Sequence, residues 1–187
     1  MVDHHTVKLS IELIPSNSYG NNLRGLLRGC TWDRLRKATY EEADHQCEIC
    51  GSNGLAQGRK HRVEAHEVWS YDDENRIQTL ERLQALCPLC HQAKHIGRSL
   101  SVGAGARTVR HLAKVNRLTK EVAEDYINRS LEEHTLRSHG DAWLLNISHL
   151  LTHPALTDAD IRDLPYNVDG VFISHPISGD NEHTTEE

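Results

Sequence analysis

Cys47-Glu48-Ile49-Cys50-Gly51 and Cys87-Pro88-Leu89-Cys90-His91-Gln92-Ala93-Lys94-His95 are the two stretches on which the fold turns. Each opens with two cysteines separated by two residues, and 36 residues lie between Cys50 and Cys87. A Cys-x-x-Cys pair places two thiolates on one side of a tight turn. Two such turns supply the tetrahedral sulfur set that structural zinc prefers. A redox Cys-x-x-Cys needs only one pair and a thioredoxin-like βαβ setting, which the flanking sequence lacks. Zn2+ is therefore expected on Cys47, Cys50, Cys87 and Cys90. Four protein ligands leave that ion no open position, so it serves structure, and chemistry must use other groups.

Those groups follow at once. His91 and His95 are four residues apart, which on a helix anchored by the cysteines sets both imidazoles on one face. At that spacing they can hold a second divalent ion, or they are ordinary surface histidines among the fourteen in the chain. Between the cysteine pairs, Gly51-Ser52-Asn53-Gly54 reads as a turn and residues 62–69 as a strand of a hairpin. Ile77, Leu80, Leu83 and Leu86 carry the chain into the second pair.

With Val63-Glu64-Ala65-His66-Glu67-Val68 and Leu83-Gln84-Ala85-Leu86 added to the cysteine stretches, the chain resembles the His-Asn-His (HNH) nuclease family in its four-cysteine zinc-containing type, over about residues 47–97. The resemblance implies an α+β fold built on a ββα-metal or treble-clef zinc module with flanking helices and a short sheet. It implies hydrolysis of DNA phosphodiester bonds, with Mg2+ or another divalent transition metal held by His91, His95 and His66. With His66 as general base, the neighbouring ligand position falls on Ala65. With His66 as ligand, the base position falls on Glu67. Arg82 stands where the family has its central Asn, and as a cation it suits contact with a phosphate. The alternative is a degenerate module of the same kind that binds nucleic acid, a nucleotide or a protein without cutting.

Outward from the module, Val7, Leu9, Ile11 and Leu13 alternate with polar residues as in a half-buried strand that Pro15 ends. Thr31 is expected to cap a helix running to about Asp44. A short helix from Cys90 is expected to end at Gly97, and helices are expected over 107–116 and, capped by Thr119, over 120–137. Trp143, Leu145 and Ile147 suggest a second strand beside the first. Trp32, Trp69 and Trp143 are expected in the core, and Cys30 as an inert, half-buried thiol. The divisions expected are 1–45, a strand and helix packing on the module; 46–98, the module; 99–157, a helical extension with a short strand; and 158–187, an acidic, flexible tail, with 178–187 disordered.

The net charge of −6 hides an uneven distribution. From Pro88 to Lys120 there are seven Lys and Arg and no acid, whereas from Leu151 onward eight acids face Arg162 alone. An acid-free run beginning on the histidine-bearing helix fits a phosphate backbone, so DNA is the expected partner, contacted by Lys94, Arg98, Arg107, Arg110 and Lys114 besides Arg82. A protein partner or a second copy of the chain also remains open. No apolar run reaches the length needed to cross a bilayer, and residues 1–10 lack the apolar stretch of a signal peptide, so a cytoplasmic, reducing setting is expected.

Overall fold

A computed structural model describes residues 7–164 and the backbone of Val171–Ile173. Its centre is a hairpin of Glu64–Asp72 (β1) and Ile77–Leu86 (β2), paired antiparallel. The turn between them is held by Asp72, whose Oδ1 accepts from the N–H groups of Glu74 (3.1 Å) and Asn75 (2.9 Å). Leu144–Asn146 (β3) lies parallel to β2 and Val171–Ile173 (β4) antiparallel to β3, giving a mixed sheet in the order β1-β2-β3-β4. β1 is thus an edge strand, and its register slips between Val68 and Trp69.

Successive residues of a strand face opposite sides, and the two sides of this hairpin serve different cores. On one side Trp69, Leu80 and Leu83 pack with Leu23 of helix α1 (Leu23–Leu26), Leu35 of α2 (Gly29–Glu42) and Leu145. On the other side Leu86 joins Leu9, Ile11, Ile96, Leu112 and Tyr126, together with three of the four paired cysteines. The helices of that second core are α3 (Pro88–Lys94), α4 (Ile96–Ser101), α5 (Gly105–Asn116) and α6 (Lys120–Arg137). α6 has the limits read from the sequence, because the Thr119 side chain accepts from the Val122 N–H as an N-cap does. The fold is α+β, as expected.

Five local expectations are corrected. Residues 7–13 bury alternate side chains but join no sheet. Their backbone is matched instead by side chains, Asn116 bonding both N–H and C=O of Leu9 (2.8 Å each) and Tyr126 Oη accepting from Ile11 (3.1 Å). β3 accordingly lies beside β2 and not beside that segment. Thr31 does not cap α2, which starts at Gly29; it is buried, and its hydroxyl donates to Asp160 (2.8 Å). Gly97 lies inside α4, and the break falls at His95, whose ψ of 49° leaves helical geometry. Cys30 is exposed. Of the stretch read as a tail, residues 158–162 form α7 (Asp158–Arg162), joined through Thr157 by a capping box, and 171–173 form β4; residues 178–187 lie outside the described residues. Among the described residues no helix is long and apolar enough to cross a membrane.

Candidate functional site

The first cysteine turn is shaped by backbone bonds, Cys47 N–H to Ser52 O and Gly51 N–H to Cys47 O, both 2.8 Å. Gly51 takes a φ of +72°, which suits a residue without Cβ. Glu48 fastens this turn to the end of β2, donating its N–H to Ala85 O and accepting the Ala85 N–H at 2.6 Å. The second turn opens α3, with Cys87 as N-cap and Pro88 in the first turn, where a missing N–H costs nothing. The four Sγ atoms of Cys47, Cys50, Cys87 and Cys90 lie within 4.8 Å of one another, a cluster able to hold a metal ion. Hydrogen bonds among the sulfurs pull Cys47 down to about 6 and also lower Cys87, while they push Cys50 and Cys90 up. A cation held by the four sulfurs requires all four as thiolates, so binding it releases their protons. Cys90 Sγ also meets His111 Nε2 of α5 at 3.2 Å.

One helical turn beyond Cys87 the chain presents the histidines. His66 comes from β1, His91 from α3 and His95 from the break after it, and their ring nitrogens also lie within 4.8 Å of one another. Ring centroids are 4.9 to 5.4 Å apart. Two carboxylates fix two of these rings. His66 Nε2 lies 2.7 Å from Glu12 Oε2, and His91 Nδ1 lies 2.5 Å from Glu64 Oε2. Carboxylate contacts of this kind leave each ring one nitrogen free and are those by which proteins orient metal-binding imidazoles. Burial lowers the pKa of His66, which is 2% exposed, and burial with repulsion from the other rings pushes His95 down to about 3. Both are neutral near pH 7, the state in which imidazole coordinates.

Sequence reasoning missed Glu12 and Glu64. Glu12 sits at a polar position of an alternation, which names no partner for it. It is drawn inward because the segment runs beside α3, with the Glu12 N–H donating to Lys94 O (2.9 Å). Lys94, expected on DNA, is 4% exposed, and its ammonium contacts Glu12 Oε1 and, at 2.8 Å, Ser10 Oγ. Burial pushes the Glu12 carboxyl up, but the hydrogen bond from His66 and the Lys94 charge outweigh it and hold the group at about 2. Since the folded value lies below the ordinary 4.5, this stabilisation is complete above about pH 4.5 and is lost as pH falls toward 2. Lys94→Met leaves Glu12 without its ammonium, and the urea midpoint should drop by the equivalent of about 3 to 5 kcal/mol, with much of it restored in the Glu12→Gln/Lys94→Met double variant. An unchanged midpoint in the single variant would show the pair to be dispensable.

The remaining candidates are placed as follows. Glu67 is on the opposite side of β1 from His66, and its Oε1 accepts the Leu23 N–H at 2.9 Å. Burial raises its pKa to about 7 against that bond. Because β1 is an edge, a cavity of about 240 Å³ wraps around it and touches Ala65, His66 and Glu67 together with His91 and His95. Arg82 pairs with Glu48 (2.6 Å), and the residue across the ladder from His66 is Gln84. Arg98 is exposed and lines a second cavity that reaches His95. Arg107, Arg110 and Lys114 are exposed along α5, away from the histidine cavity; Lys114 borders another cavity beside Cys50. In comparison with known proteins, no family model, no curated protein and no solved structure matches the chain.

Proposed function

We propose that the chain is a metal-dependent endonuclease of the HNH kind, hydrolysing phosphodiester bonds in DNA, with zinc on the four cysteines and a second divalent ion at the three histidines. The observation that carries this is the convergence of His66, His91 and His95 on one point, next to a hairpin and helix locked by the cysteine cluster. A structural sulfur site alone would need no such partner. Three neutral imidazoles leave coordination positions for a phosphate oxygen and water, and a bound ion there would supply Lewis-acid stabilisation of the charge that develops on phosphate.

The chain's own groups do the rest. Glu12 and Glu64 hold the rings of His66 and His91 in the required tautomers. With His66 engaged as a ligand, the base position falls on Glu67, which borders the same cavity and whose carboxyl is raised by burial to about 7; its carboxylate lies across β1 from His66 on the Leu23 N–H, so serving as base requires it to leave that bond. Arg82, turned onto Glu48, favours a second reading in which the module binds nucleic acid without cutting it, since the residue standing at the family's Asn position is engaged in an ion pair. Plasmid nicking by zinc-loaded protein with Mg2+, Mn2+ or Ni2+ separates the two. Cleavage with two metal equivalents per chain supports the nuclease; one equivalent and no cleavage supports the binding module.

A further inference from the structure

The histidine cavity does not end at the imidazoles. The cavity of about 240 Å³ holding His66, His91 and His95 and a neighbouring one of about 480 Å³ have His95 and Ile14 in common, so they adjoin on either side of these two residues, next to the proposed metal position. Each arm carries the same pair of side chains. One arm has Trp32, half-buried, and Arg24; the other has Tyr19, 69% exposed, and Arg98. Both arginines are exposed, and among the described residues neither guanidinium makes a hydrogen bond or ion pair. An aromatic ring left open to water beside an unpaired guanidinium, repeated on both sides of a hydrolytic centre, is the composition of a single-strand groove: the cations follow phosphates and the rings stack on bases.

We infer that this groove receives an unpaired DNA strand, with bases on either side of the scissile phosphate stacked on Trp32 and Tyr19 and the flanking phosphates on Arg24 and Arg98. A base inside a duplex has both faces covered by its neighbours, so only an unpaired base offers a free face to Trp32 or Tyr19. The preferred substrate is therefore single-stranded DNA or duplex opened at a gap, flap or end. Of the acids near the groove, Glu12 is neutralised by Lys94, Glu64 lies on His91 and His61, Asp33 lies on Arg36, and Glu67, which borders the groove, accepts the Leu23 N–H. The inference rests on the nuclease reading for its scissile bond but not for its binding.

Tryptophan emission tests it without turnover. Trp143 is fully buried, and Trp69, 8% exposed, borders the smaller cavity together with the half-buried Trp32, so a ligand in the groove is reported mainly by Trp32 and to a lesser extent by Trp69. Zinc-loaded protein with no further divalent ion is titrated with oligothymidylate, and separately with the duplex that oligothymidylate forms with oligoadenylate. The single strand should quench emission and bind more tightly than the duplex, most of the quench should be lost in Trp32→Phe, and Trp32→Ala, Tyr19→Ala, Arg24→Ala or Arg98→Ala should each weaken binding by about five- to a hundredfold. Equal affinity for duplex, or a quench as large in Trp32→Phe as in the unaltered protein, overturns the inference. Nicking without a Trp32 response would leave the nuclease standing and remove the groove, whereas a Trp32 response without nicking would do the reverse.

Discussion

Cys87→Ser is expected to release the metal and unfold the chain outright, read as loss of one zinc equivalent and of the cooperative transition in far-UV circular dichroism. The magnitude follows from comparing two quantities. A structural zinc site contributes apparent free energy of about 10 to 16 kcal/mol at neutral pH, whereas a whole domain is stable by only about 5 to 15 kcal/mol. Cys87 is the position where the loss spreads furthest. Its sulfur is fully buried, it caps α3, and its neighbours in the same core include Leu86, Ala93 and Leu112. The hydroxyl of serine fits the space but is a poor zinc ligand. Cys30→Ser is the control: Cys30 is exposed and outside the cluster, so metal content and stability should not change. A folded, metal-free Cys87→Ser protein would remove the structural role assigned to the cysteines.

His91→Ala should separate activity from folding. His91 is partly exposed and belongs to neither apolar core, so the variant should keep its zinc and its circular dichroism while nicking falls at least about a hundredfold, the upper range found when metal-site partners are lost. Glu64→Gln keeps the imidazole but weakens its orientation through Nδ1, and about tenfold is expected there. The metal stoichiometry of both variants shows whether the ion or only its alignment has gone. Nicking that is unaltered in His91→Ala would sink the assignment of the histidines as the hydrolytic centre.

How much of this was visible in the sequence depends on whether the deciding forces were local. The cysteine turns, the hairpin and the span of α6 were legible because each is written in neighbouring residues: paired thiols, alternation, and Thr119 before a helical run. The segment at residues 7–13 shows why the rest was not. Alternation states that one side is buried but not what covers the backbone, and here Asn116 and Tyr126, more than a hundred residues away, take the place of a strand. The same distance hid Glu12 and misplaced Lys94, whose charge sits in an acid-free stretch of sequence but beside an acid in space. Thr31 has the chemistry of a cap, yet a buried bond to Asp160 claimed it. The three histidines were named together only through resemblance, and their two orienting carboxylates carry no sequence signal short of the fold itself.

The threading of residues 7–13 also bears on the order of events during synthesis. His66, His91 and His95 leave the ribosome well before α5 and α6, whereas the strip that carries Glu12 takes two of its anchors, Asn116 and Tyr126, from those helices. A nascent chain that has reached only His95 therefore has its three imidazoles with the strip behind the first of them only partly anchored. On the nuclease reading proposed above, the site is in this way kept unfinished while the chain is still attached to the machinery, and the message, that is making it.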